Sequence, residues 1–260
     1  MMTRHLSRIA GITAAALLIT IQTVQAHEFI IKPVSLSGTH GQTIPFNVLS
    51  SHVFMESVEM EPLQEVEAYA LSPNGRQDIP LVGNETEKTL NGNVAIQAEG
   101  THILCGHRNG IIWSKTTKGW KQESKKNLKG VLSSGKYEKF AKAIISNGKS
   151  DSNYSKPVGH KLEIVPLDDP QTTSVGKEMK LQVLYDGKPL ATEVYATYDG
   201  FSSHTNTYAY YSNSGDDGQV AVKLTQPGVW MVRVEHEITE PTPDYDTEVI
   251  RAVLLFGING

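Results

Sequence analysis

Cysteine is almost missing from this sequence: Cys105 is the single thiol in 260 residues. No internal disulfide can form, so the fold must rest on packing and hydrogen bonding alone. Long apolar runs are scarce as well. Ile9 to Ile21 is the one extended stretch of that kind, and it falls short of the roughly 20 apolar residues that a membrane span requires. Positive charge is also in deficit, with 24 Lys and Arg against 28 Asp and Glu for a formal net charge of -4. That balance argues against a nucleic-acid binder, which needs a basic face to meet phosphates. The sequence shows no P-loop, no dinucleotide glycine pattern and no heptads. It also lacks a nucleophile elbow or a paired catalytic cluster, which disfavours a hydrolase, and a non-enzymatic protein is the leading expectation without enzyme chemistry being excluded.

What is present begins with a three-part leader. Arg4 and Arg8 form a basic flank, Ile9 to Ile21 an apolar centre, and Val24-Gln25-Ala26 a small-x-small cleavage signal, which is the pattern of a secretory signal peptide over residues 1–26. Cleavage after Ala26 predicts a mature chain starting at His27. Loss of two arginines takes the formal charge from -4 to -6. An exported chain without disulfides suits a bacterial periplasm, with no stable membrane span after cleavage. A terminal histidine offers its α-amine and ring Nδ1 to one ion, and the amine, with a reference pKa near 7.7, deprotonates readily. The plain alternative is a loose new terminus with no role.

From His27 onward the pattern is strands. Phe29 to Pro33, Thr43 to Leu49, Glu65 to Leu71, Asn91 to Gln97 and Thr101 to Gly106 are short apolar or alternating runs between turn signals. Residues 115–142 differ, with nine lysines in the run. Such a cluster could attract phosphates or an anionic membrane surface, but it is more often a solvated face. Within and beyond it, Tyr137, Phe140, Ala141, Ile144 and Ile145 have the spacing of a short amphipathic helix. A helical or loop insertion over a sheet is therefore expected here. Pro166-Leu167-Asp168-Asp169-Pro170 reads as a stiff connector, and strands resume beyond it. The expectation is an all-β chain of two tandem β-sandwich domains, 27–165 and 166–260.

The order of motifs resembles the DUF4198 family, periplasmic proteins often described as the periplasmic component of nickel or cobalt uptake. The resemblance is carried by Ala26-His27-Glu28-Phe29-Ile30-Ile31-Lys32-Pro33, Ser51-His52-Val53-Phe54 and Leu162 to Pro170. It continues through Val183-Leu184-Tyr185-Asp186-Gly187-Lys188-Pro189-Leu190, Asp217-Gly218-Gln219-Val220 and Gly228 to His236. Ser51 stands where members often have glycine. The resemblance implies immunoglobulin-like and transthyretin-like sandwiches, and a protein delivering nickel or cobalt to a membrane uptake transporter. It also marks His27, His52 and His236.

Imidazole suits nickel, cobalt, copper and zinc, whereas calcium and magnesium prefer oxygen, so a histidine site points to a transition metal. His102, His107 and His204 are reserve ligands. Cys105 reads as a buried inert thiol, or else as a soft ligand flanked by His102 and His107. Glu28, Glu235, Glu237, Asp244 and Asp246 could add oxygen ligands or orient the histidines. Two alternatives compete with the nickel or cobalt reading. One is a copper carrier or a copper oxidative enzyme with an N-terminal histidine brace, for which Trp113 and Trp120 could be exposed aromatics. The other is a non-enzymatic envelope interaction module whose histidines are incidental.

Overall fold

The computed structural model describes residues 27–259; the expected leader, residues 1–26, lies outside the described residues. The first ten strands are β1 (Glu28–Pro33), β2 (Thr43–Val53), β3 (Glu56–Glu59), β4 (Val66–Ser72), β5 (Gly75–Ile79), β6 (Val82–Asn84), β7 (Thr89–Ala95), β8 (Gly100–Thr116), β9 (Gly119–Lys121) and β10 (Val131–Asn147). The remaining eight are β11 (Leu162–Pro166), β12 (Glu178–Tyr185), β13 (Lys188–Pro189), β14 (Glu193–Tyr198), β15 (Tyr210–Asn213), β16 (Gln219–Lys223), β17 (Gly228–Ile238) and β18 (Thr247–Ile258). The all-β expectation holds, and the only helical turns among the described residues are three short 3-10 turns.

The strands form three layers. A central nine-stranded sheet runs β15-β14-β17-β18-β10-β8-β4-β5, with β9 paired to β8. One face is covered by β1, β2, β7, β6 and β3, the other by β11, β12, β13 and β16. The central strands β17, β18 and β10 therefore bury both faces. Along β17, Trp230, Val232 and Val234 enter one core while Met231 enters the other. Along β18, Ile250, Ala252, Leu254 and Phe256 alternate in the same way with Val253 and Leu255. A strand covered on both sides reads as a continuous apolar run rather than an alternating one.

That double burial corrects two expectations. Tyr137 to Ile145 is not a helix but the centre of β10. Its apolar residues point alternately to the two cores, with Phe140 and Ile144 on one side and Ala141, Ala143 and Ile145 on the other. The lysine-rich segment is mostly strand and turn, and its helical content is one 3-10 turn, Lys125–Asn127. Nor does the chain separate into two independent sandwiches at residue 165. β10 pairs in parallel with β18 from Gly135↔Thr247 to Ala143↔Leu255, so strands from both halves share the central sheet. The two cores lie above and below that sheet rather than before and after the connector.

Five of the nine lysines are paired with carboxylates brought from elsewhere. Lys125 meets Asp246 at 2.6 Å, Lys126 meets Asp244 at 2.6 Å and Lys136 meets Glu248 at 3.0 Å. Lys139 and Lys142 turn inward to Glu61 and Glu163, at 2.7 and 2.6 Å. Asp244 and Asp246 are thereby committed to lysines rather than placed beside a histidine.

Candidate binding corner at the start of the first strand

β1 and β2 are antiparallel, with Glu28 opposite Ser51. One residue further out, that register sets His27 across from His52, and their ring centroids lie 4.0 Å apart with the planes tilted by 39°. His27 Nδ1 is 2.7 Å from Glu59 Oε1 on β3. Burial, the largest influence on the His27 ring, pulls its pKa below the ordinary 6.5 against the opposing pull of Glu59. The neutral ring is thereby favoured at pH 7, with Nδ1 in close contact with the carboxylate.

His52 Nδ1 has no hydrogen-bond partner, although it is buried. Two further buried atoms without partners, Glu28 Oε2 and Asn206 Nδ2, belong to residues lining the same small cavity of about 10 Å³. That is space for about one water molecule held by several polar groups. The opposite oxygen of Glu28 accepts from Arg233 Nε at 2.8 Å and from Tyr208 at 3.4 Å. Asn206 N–H donates to the His52 carbonyl at 3.0 Å, tying the loop that carries His204 to the end of β2. The corner is thus assembled from both halves of the chain.

Beside His27 opens a larger cleft of about 490 Å³. Trp113 and Trp120, 38% and 39% exposed, line it together with Ile111 and Tyr137. Arg108, Lys139 and Glu61 also line it, and each is buried. Lys139 Nζ donates to Glu61 at 2.7 Å, while Arg108 Nε stands 3.5 Å from the other carboxylate oxygen without forming a hydrogen bond. Burial alone would raise the Glu61 carboxyl, but Lys139 and Arg108 hold it below the usual range. A register shift in the β8–β10 pairing, between Tyr137↔Ile111 and Lys139↔Arg108, sets two residues of β8 against one of β10, one extra residue. This bulge allows Ile111 and Trp113 to share the side of Arg108, against strict alternation.

The other expected ligands do not join His27 and His52. His236 lies on the same side of β17 as Trp230, Val232 and Val234, facing the opposite core, and its ring packs 4.6 Å from Tyr185. Strand alternation excludes it from the corner because Arg233, which reaches Glu28, lies on the other face. His107 also faces that second core, stacked 4.5 Å from Phe140 with Nε2 2.7 Å from Glu138. His102 points the other way and is fully buried with neither ring nitrogen hydrogen-bonded. His102 and His107 therefore cannot flank Cys105 in one site. Burial pushes the Cys105 thiol up to about 12, as expected of an inert structural thiol. His204 is exposed, and its backbone N–H donates to Ser202 Oγ. Glu235 bonds to Arg233 and Arg251 instead of to a histidine. Among the described residues no group of three or more His, Cys, Asp or Glu side chains is arranged to hold a metal ion.

Arg108, Lys139 and Glu61 carry no shared sequence motif, since Arg108 stands 31 residues before Lys139 and 47 after Glu61. The one local signal was Asn109-Gly110 inside a strand-like stretch, since a strand glycine often marks a bulge.

Fold and site together define an all-β protein with a polar and aromatic recess at one corner of a three-layer stack. A family model described as a domain of unknown function, DUF4198, matches residues 24–238. The chain belongs to that family. No curated protein matches it. Among solved structures, the D0-D1 domain of intimin is 12% identical, covering 89% of this chain and 98% of its own, with a TM-score of 0.23. The human OSCAR ligand-binding domain is 11% identical over 88% of this chain and 98% of its own, at 0.22. The BSP domain of a biofilm-associated protein is 12% identical over 87% of this chain and 29% of its own, at 0.20. Overlap this low places neither a ligand nor an activity on the chain. Among the described residues no helix is long and apolar enough to cross a membrane.

Proposed function

We propose that this protein is a non-enzymatic binding protein of the periplasm whose binding corner is the start of β1. Within that corner, the favoured ligand is a transition-metal ion, nickel or cobalt first and copper or zinc next. The observation that carries this reading is the meeting of His27 and His52, rings 4.0 Å apart, with His52 Nδ1 buried and unpartnered. Two imidazoles and the half-exposed Glu59 carboxylate are suitable donors, yet the described side chains alone do not make a closed set of three. The missing donor on this reading is the α-amine that cleavage after Ala26 would create, and the metal must also displace Glu59 from His27 Nδ1 or share it. Delivery to a membrane uptake transporter is the corresponding role.

The competing reading is an envelope interaction module in which the two histidines pack without a metal. It is favoured by the aromatic cleft beside them, which a metal ion alone would not need. A copper carrier or histidine-brace copper enzyme is a further version of the metal reading, and the enzyme is distinguished by copper-dependent oxygen consumption. Titration of metal-free protein beginning at His27 with nickel, cobalt, copper and zinc separates these readings. Micromolar or tighter binding of one ion supports the metal reading, whereas binding of every ion only near 1 mM, about 4.1 kcal/mol, favours the interaction module.

A further inference from the structure

The 490 Å³ cleft lies within the size range of small-molecule sites, roughly 300–1,000 Å³. Its walls include two part-exposed indoles and Tyr137, aromatic surface against which a ring can pack. Its floor holds two buried cations against one buried carboxylate: Arg108 is 4% exposed, Lys139 5% and Glu61 6%. Glu61 is already engaged by Lys139 and by Ser50 Oγ, at 2.7 and 3.2 Å. Arg108 donates through Nη1 to the carbonyls of Asn109 and Tyr137, at 2.9 and 2.7 Å, and leaves Nε without a hydrogen bond. A buried guanidinium with an unsatisfied N–H is costly unless something else completes its shell. Glu138 and Glu65 also act on Arg108 from outside the lining, and the other carboxylate of the lining, Glu59, is 55% exposed at the rim, 2.7 Å from His27. Its charge is screened by water, whereas the floor's surplus cation is not.

We infer that this cleft binds a small organic acid whose ring lies against Trp113, Trp120 and Tyr137 and whose carboxylate meets the Arg108–Lys139 floor. Guanidinium is suited to such a group because it can present paired N–H donors to a carboxylate. The ring supplies apolar area and the carboxylate supplies selection, since an uncharged analogue leaves the floor cation without its counter-ion. The site needs no metal at His27. Either an aromatic acid or a sugar acid satisfies this chemistry, because an indole face stacks on both.

Calorimetric titration of the secreted protein in the presence of a chelator tests the inference apart from any metal. The probes are 4-hydroxybenzoate against 4-hydroxybenzamide and galacturonate against galactose. The expected result is that at least one acid binds with a Kd below about 1 mM and at least tenfold more tightly than its uncharged counterpart. Arg108→Gln and Trp113→Leu should each weaken that acid at least tenfold. Trp113 is part-exposed, so its variant remains informative if the Arg108 variant misfolds. Equal binding of acid and uncharged counterpart overturns the inference. So does the absence of heat from both acids up to about 10 mM, or unchanged affinity in a folded Trp113→Leu protein.

Discussion

Glu163→Ala should be among the most destabilising substitutions in this chain, because one carboxylate joins two layers of the fold. Lys142 projects from β10 of the central sheet and Glu163 from β11 of the covering sheet, and each is only 2% exposed. Glu163 accepts from Lys142 Nζ at 2.6 Å, from Val158 N–H at 2.7 Å and from Gly159 N–H at 3.1 Å. Removing it leaves a buried ammonium without its partner, which costs about 3–5 kcal/mol. The two stranded amides add about 1–3 kcal/mol each unless water reaches them, and the contributions overlap. A loss of at least about 4 kcal/mol is expected, a large share of the roughly 5–15 kcal/mol that holds an ordinary domain together. Urea unfolding followed by fluorescence measures it, with Trp230, fully buried in the same core, as the reporter. The double variant Lys142→Met with Glu163→Gln should recover part of the loss, since it removes the buried charge and keeps an acceptor for one of the two amides. A loss below about 1.5 kcal/mol in Glu163→Ala would refute the claim that this pair fastens the layers.

Acidification should destabilise the protein through His160, whose ring is buried and hydrogen-bonded to the Tyr69 hydroxyl at 2.9 Å. Burial, aided by Lys142, lowers its pKa from 6.5 to about 3. The unfolded chain therefore takes up a proton that the folded one refuses as pH falls from 6.5 towards 3. Stability from this group is complete above 6.5 and declines below it by up to about 1.4 kcal/mol per pH unit. Urea midpoints between pH 4 and 7 should show that slope, and it should flatten in His160→Gln. Cys105 should be inert to a thiol reagent in the folded protein at pH 8 and react at once in denaturant, because burial raises its pKa to about 12. Rapid labelling without denaturant would contradict its placement in the core.

The parts of the fold that were legible in the sequence are those with one exposed face and clear turns. β2 read correctly because Phe46 and Val48 alternate with less buried neighbours, whereas β1, buried on both faces, was legible only as a short apolar run. β10 misled because burial on both sides abolishes alternation: Phe140, Ala141, Ile144 and Ile145 mimic a helical face while pointing to two different cores. Sheet sharing was invisible for a related reason, since the parallel pairing of β10 with β18 joins residues more than a hundred positions apart and leaves no local mark. At the site, the approach of His27 to His52 follows from a hairpin-like antiparallel register between β1 and β2. The exclusion of His236 needed the facing of β17, which depends on the covering sheet. The buried Arg108, Lys139 and Glu61 group resembled ordinary surface charge in sequence, because nothing local says that a charged strand residue will point inward.

The central claim is that His27 and His52 hold a transition-metal ion once His27 is the first residue. Competition titration against a chromophoric chelator, at one pH, compares the protein beginning at His27 with four variants: one extra residue before His27, His27→Ala, His52→Ala and His236→Ala. The account predicts at least a tenfold loss of affinity, about 1.4 kcal/mol, in the first three. His236→Ala should bind as tightly as the parent, since its ring faces the other core beside Tyr185. Unchanged affinity in the extended protein would remove the α-amine from the site, and unchanged affinity in both His27→Ala and His52→Ala would contradict the claim itself.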